Sequence, residues 1–236
     1  MMKKSASDLI FIKWVTGVIF FLIFIFILQY FGFMNSLINN DASYITSLIF
    51  IIFIYFSIKV GIELFLIRDR YMNINILFSI LSSDSKEDVN SILKIFQHSN
   101  NSDDKSIYIY ITSNIESDST KENFEHLLTS KLNTGWLVAD GLLKLGLIGT
   151  VIGFIIMLSA ITEIDGFDFT MMKEMLQNMS RGMEVALYTT LSGLVSSILL
   201  TIQYSYLEHY VYKIFYTSNS CLSYYSIKYP TIQNEK

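Results

Sequence analysis

WVTGVIFFLIFIFILQYFGFM, residues 14 to 34, runs for 21 residues without a charge. Wound as an α-helix it is about 31 Å long, the thickness of the hydrocarbon core of a bilayer. A second apolar run, 44 to 67, follows across NSLINNDAS, which is too short for a domain and suits the turn of a helical hairpin through a membrane. Residues 137 to 161 and 183 to 207 form a third and a fourth run. The segment before the first run, MMKKSASDLIFIK, has the charge of a signal-peptide start. The run it introduces is too long for one and lacks a small-residue cleavage site, so a retained anchor is expected.

Composition agrees with a membrane class. Of 236 residues, 52% are apolar and 16% charged, mean hydropathy is +0.43 and there is one proline, which excludes disordered, collagen-like and disulfide-built proteins. A net charge of −4 gives no basic excess for nucleic acid. Cys221 stands alone and His98, His126 and His209 are isolated, so no Cys or His metal centre and no cofactor are expected. No run carries a His/Asp/Glu constellation or a nucleophile-elbow motif, and no enzymatic activity is expected.

The cations set the direction of the spans. Three of the 17 Lys and Arg lie in residues 1–13, seven in 68–135 and three in 208–236, against none in 35–43 and two in 162–182. The positive-inside rule then places both termini and the middle segment in the cytoplasm. Lys59 and Lys144 lie within runs, towards their cytoplasmic ends, where long side chains snorkel. Each has an acid at i, i+4 spacing (Glu63, Asp140), so each pair can neutralise itself on one helix face. A cross-span pair such as Lys59 with Asp140 is the alternative. Trp14, Tyr30, Tyr44, Trp136, Tyr204, Tyr206 and Tyr210 suit headgroup-level belts or helix packing.

The expected fold is an all-α membrane protein with four transmembrane helices and a helical cytoplasmic segment between the second and third. An N-terminal anchor region (1–67) precedes the cytoplasmic segment (68–135), a channel-like region (136–210) and a short tail (211–236). In the middle segment Val89, Ile92, Leu93 and Phe96, and again Phe124, Leu127, Leu128 and Leu132, have helical period and predict short amphipathic helices. SIYIYI, residues 106–111, fits strand or buried helix, and the tail beyond Glu208 is expected to fray. No internal repeat is visible.

Two stretches carry functional information. GLLKLGLIGTVIGF (141–154) sets Gly146, Gly149 and Gly153 along one helix side, which lets another helix approach closely, with the Thr150 hydroxyl beside it. Gly141 and Gly146 have phosphate-loop spacing, but Leu147 and Ile148 stand where Lys and Ser/Thr would be needed. RGMEVALYTTLSGLVSSILL (181–200) repeats Ala186, Thr189 or Thr190, Gly193 and Ser197 as a second small, hydroxyl-bearing stripe. Such stripes occur in ordinary helix bundles, where a threonine hydroxyl commonly bonds its own i−4 carbonyl.

LGLIGTVIGF (145–154) and GMEVALYTTLSGLVSS (182–197) resemble, in order and separation, the paired signatures of the MotA/TolQ/ExbB proton-channel family. The resemblance covers about residues 140 to 210. It implies a multi-pass subunit of an ion-driven motor in the bacterial inner membrane, a stator that turns ion-motive force into mechanical work. A homopentamer would surround two copies of a single-span MotB/TolR/ExbD-like partner whose intramembrane aspartate takes up the ion, H⁺ in preference to Na⁺, although threonine oxygens serve either. On the same basis Thr150 and Thr190 match the threonines facing the ion path, with Thr189 and Ser197 as neighbours and Gly146, Gly149, Gly153 and Gly193 as packing residues. The sequence departs from the family where Val185 replaces a frequent glutamate, with Glu184 one position earlier, and where Leu199 replaces a proline. Four spans look like MotA, the motif wording more like TolQ and ExbB. The alternative function is a membrane scaffold or sensor that conducts no ions.

Overall fold

The computed structural model describes residues 12, 14–17, 19, 44–83, 86–99, 101–113, 118–162 and 169–228. All regular structure among them is α-helical. Five helices follow one another: α1 (Ile45–Ser83), α2 (Lys86–His98), α3 (Ser102–Thr112), α4 (Asp118–Thr162) and α5 (Phe169–Lys228). Most of the run at 14–34 lies outside the described residues, although 14–17 are helical.

Three of these helices are long and apolar enough to cross a membrane: α1 and α4, whose most apolar windows have mean hydropathy 2.2, and α5, at 1.8. Only 28%, 22% and 44% of those windows are buried within the chain. Most of the apolar surface therefore needs lipid or other protein chains to cover it. At 39, 45 and 60 residues, the helices are about 58, 68 and 90 Å long, well beyond a hydrocarbon core of about 30 Å. Each continues past its apolar stretch as polar helix.

The chain divides into two compact units, and α1, α4 and α5 each contribute to both. One unit comprises residues 15–60 and 135–204, the apolar part. Its interior is formed by Ile49, Phe53 and Val60 of α1, Ala139 and Leu142 of α4, and Val185, Ala186, Leu200 and Tyr204 of α5. Tyr204 is 3% exposed and its ring lies on Gly135, where any Cβ would collide with it. It packs helices and is not a belt residue, whereas Tyr44 at 79% exposed suits the interface. Tyr44, at φ 56°, is also in the left-handed region that residues with a Cβ seldom adopt. Its carbonyl accepts the Leu48 N–H at 3.1 Å as α1 begins.

The second unit comprises residues 1–14, 61–134 and 205–236. Val89, Ile92, Leu93 and Phe96 form the buried face of α2, as their period predicts. Ile107, Tyr110 and Ile111 are buried at i, i+3, i+4 spacing, so SIYIYI is helix and not strand. Asn101, in extended conformation, precedes α3, and Asp103 and Asp104 sit in its first turn, where acids complement the helix dipole. The Tyr110 ring stacks on Phe124 with centroids 4.0 Å apart, and its hydroxyl donates to Asn219 at 3.0 Å, joining α3 to α4 and α5. Leu127, expected inward with Phe124 and Leu132, is 55% exposed.

Two differences from the expected layout share one cause. The patch at 124–132 is no separate short helix but the start of α4, and the tail does not fray between 208 and 228, residues 229–236 lying outside the described residues. Instead α5 continues to Lys228, with Val211, Ile214, Ser218, Cys221 and Leu222 buried in the second unit. A change from apolar to polar composition leaves a helix intact unless a breaker accompanies it.

Candidate functional site

Gly146, Gly149 and Gly153 of α4 face α5. A Cβ on Gly146 would lie 3.1 Å from the Thr189 carbonyl oxygen and 3.2 Å from Gly193 Cα. One on Gly149 would run into the Thr189 side chain, and one on Gly153 would lie 2.6 Å from the Ala186 nitrogen and 2.7 Å from the Gly182 oxygen. From the other side, Gly193 is closed off by Gly146 Cα and the Leu142 oxygen, both at 2.8 Å from a hypothetical Cβ. The partners fall in number along α5 as they rise along α4, so the helices run antiparallel with backbones nearly touching. The two stripes are packed against each other within one chain, which removes lipid and water from this seam.

The hydroxyls sit at graded depths. Thr189 is fully buried and donates to the Val185 carbonyl at 2.9 Å, with Ala186 at 3.1 Å. Thr190, half-buried, donates to Ala186 O at 3.0 Å, with Gly146 O of α4 at 3.4 Å. Thr150, half-buried one position from Gly149, donates to Leu147 O at 2.6 Å. In each case the proton is held by a nearby backbone carbonyl and the oxygen lone pairs are left as acceptors. Such oxygens can receive a hydrogen bond from a protonated carboxyl or from water. Stabilising a carboxylate requires the hydroxyl to rotate away from its carbonyl.

The inner face of α5 differs in detail from the predicted stripe. Ser192 and Ser196 are buried, at 5% and 2% exposure, while Ser197 is half-buried. The stripe advances by three residues from Gly193 to Ser196 and not by four to Ser197, so the two buried serines were missed although an i+3 step was equally available. Val185 is fully buried in the chain's own core. Glu184, half-buried, is hydrogen-bonded with Tyr188 one turn later.

Of the predicted ion pairs, Asp140–Lys144 forms at 2.6 Å with both side chains exposed. Lys59–Glu63 does not: the Lys59 ammonium sits over the Phe56 ring at 5.5 Å, and Glu63 pairs with Lys131 of α4 at 3.5 Å. Lys131 also reaches Asp103 at 2.9 Å, and the buried Arg70 holds Asp103 at 2.8 Å and Asp104 at 2.7 Å. Burial pushes the Asp103 carboxyl up, but the Lys131 hydrogen bond and the Arg70 charge outweigh it and hold the pKa below the usual carboxylate value. Burial likewise works against the Lys131 ammonium, and its bond to Asp103 reverses the effect and raises the pKa. The network fastens the first turn of α3 to α1 and α4.

A family model for the MotA/TolQ/ExbB proton channel family matches residues 90–218, more than half of the chain. The chain belongs to this family. The match begins within α2 and ends in the polar extension of α5, so the family pattern includes the second unit as well as the glycine seam. No curated protein and no solved structure matches the chain. Family membership and the apolar helices make this a membrane protein, and the family's role is that of a proton channel in motor-like complexes.

Proposed function

We propose that the chain is the proton-conducting subunit of a rotary motor in the bacterial inner membrane. Five copies would surround two copies of a single-span partner that carries an intramembrane aspartate. The observation that carries this is the glycine seam, because it sets the hydroxyls of Thr150 and Thr190 on two helices whose backbones nearly touch, in a chain of the proton-channel family. Among the described residues neither helix offers an acid beside that seam, which supports a group from another chain as the one that takes up the ion. The four-span topology follows the positive-inside rule, with residues 14–34 as first span and both termini in the cytoplasm.

The partner carboxyl is costly in the bilayer when charged and unpaired. Protonated, it can donate to the lone pairs of Thr150 and Thr190, whose own protons rest on Leu147 and Ala186 carbonyls. Deprotonated, it requires those hydroxyls to turn towards it or water to intervene. Alternation between these states, driven by a proton gradient, steps the ring around the partner without nucleotide, metal or cofactor.

A scaffold without conduction is the second reading, favoured by the same hydroxyl bonds, since threonines that bond their own helix turn need no further role. The partner complex separates the two. Native mass spectrometry of chain and partner, with microscopy of the ring, is expected to give five to two with α4 and α5 at the centre. A monomer, or α1 at the centre, contradicts the motor.

A further inference from the structure

Lys213 is an exposed cation held by aromatic rings and not by an acid. Its ammonium lies 5.3 Å from the centre of the Tyr210 ring, one turn earlier on α5, and 6.0 Å from that of Tyr71 on α1, both within cation–π range. The two rings meet edge to face at 6.1 Å, and His209, also exposed, stands against Tyr210 at 5.4 Å. Among the described residues no carboxylate pairs with Lys213. Glu208 lies about 140° away from it round α5. Arg68, one turn before Tyr71 on α1, repeats the arrangement, with its guanidinium 5.8 Å from the Phe65 ring. Its neighbour Asp69 is 3.8 Å away and 57% exposed, so that pair is weak.

Both cations lean the same way. Side chains on a helix tilt towards its N-terminus, and in α1 and α5 the apolar run precedes the cation, so each folds back towards the membrane. The runs end at Ile67 and Leu207. Along the helix axis Arg68 and Tyr71 are about 1.5 and 6 Å beyond the first end, and Tyr210, over whose ring the Lys213 ammonium sits, is about 4.5 Å beyond the second. The headgroup layer is about 5 to 8 Å deep on each side of the hydrocarbon. Two cations and two tyrosine rings are thus set at the level of lipid phosphates, with the Phe65 ring, 47% exposed, on the membrane side of Arg68. An ammonium folded back to this level without a carboxylate finds its counter-charge in the phosphate layer.

We propose that Arg68, Tyr71, Tyr210 and Lys213 form a seat for the headgroup of an anionic phospholipid, whose phosphate is drawn by the two cations. Assignment of the headgroup to the cytoplasmic leaflet rests on the proposed topology; the binding itself rests neither on that nor on conduction. Each cation close to an anionic lipid surface strengthens association about fivefold.

The test is native mass spectrometry of the full chain in detergent, titrated with dioleoylphosphatidylglycerol and separately with dioleoylphosphatidylcholine. The anionic lipid should bind at least about fivefold more tightly. Lys213→Gln and Arg68→Gln, each checked for unchanged helix content, should weaken it about fivefold, and Lys213→Arg, which keeps the charge, should retain the parent affinity. Lys94→Gln, which removes an exposed cation from α2, should change nothing. Phosphatidylcholine binding should be the same in all four variants. Equal affinity for the two lipids, unchanged binding in Lys213→Gln, or an equal loss in Lys94→Gln would each overturn the site. Displacement of the lipid by excess inorganic phosphate would mark a site for free anions, which also overturns the assignment. None of these results measures proton conduction, so they leave the channel reading to its own test.

Discussion

Alanine at Gly146 and at Gly153 should give different results, although both glycines lie mid-helix on the same side of α4. Replacing glycine with alanine inside a helix gains about 1 kcal/mol from propensity alone. At Gly146 the new methyl meets the Thr189 oxygen at 3.1 Å, Gly193 Cα at 3.2 Å and Thr190 Cα at 3.4 Å, so a separation of a few tenths of an ångström absorbs it. Cost and gain then roughly cancel. At Gly153 the methyl meets the Ala186 nitrogen at 2.6 Å, its Cβ at 2.7 Å and the Gly182 oxygen at 2.7 Å, and two of these are backbone atoms that cannot swing aside. The helices must part along the seam, losing contacts on both sides, and overpacking of this kind costs about 1 to 3 kcal/mol. Thermal unfolding of the purified chain in detergent reads the difference. Gly146→Ala should stay close to the parent midpoint, and Gly153→Ala should fall several degrees. Equal midpoints for the two variants would refute the seam.

Arg70→Met should destabilise the chain by up to about 3 to 5 kcal/mol, because it takes the Arg70 cation from partly buried Asp104 and leaves Asp103 to Lys131 alone; denaturant unfolding measures it. The lowered Asp103 pKa means that its contribution is present above the unfolded carboxyl pKa and is lost as pH falls through the folded value, so acid titration should loosen α3 first, seen as faster amide exchange at residues 102–112. Burial pushes the Cys221 thiol up to about 12, and thiol reagents at pH 8 should label it only after unfolding. Tyr110→Phe should cost about 0.5 to 1.5 kcal/mol by chemical denaturation, through the hydrogen bond lost to Asn219.

The parts of the fold visible in the sequence are those with a local period. Long uncharged runs announce membrane-crossing helices, and the spacing of Gly146, Gly149 and Gly153 announces a close helix contact, which α5 supplies. What sequence cannot show locally is where a helix carries on. Nothing between Asp118 and Thr162 stops α4, so the polar segment and the apolar one are a single element, and the same holds for α5 beyond Glu208. Charge pairing fails for a related reason. Spacing along one helix proposes Glu63 with Lys59, while the nearer cation in space, Lys131, is 68 residues away in sequence. At the seam, composition identified the small, hydroxyl-bearing face of α5 but not its phase past Gly193, since Ser196 and Ser197 are equivalent until a neighbouring helix chooses between them.

Proton flux into vesicles holding the chain with the proposed single-span partner is the most direct test of the proposed conduction past Thr150 and Thr190. An imposed potential of about 100 mV supplies about 2.3 kcal/mol per proton. Thr150→Val and Thr190→Val together keep side-chain shape and remove both hydroxyls, while the backbone carbonyls they bond can accept from elsewhere. The complex should still co-purify with its partner, and potential-driven flux, clear in the parent, should be absent. Full flux in the double valine variant would contradict the assignment of Thr150 and Thr190 to the ion path.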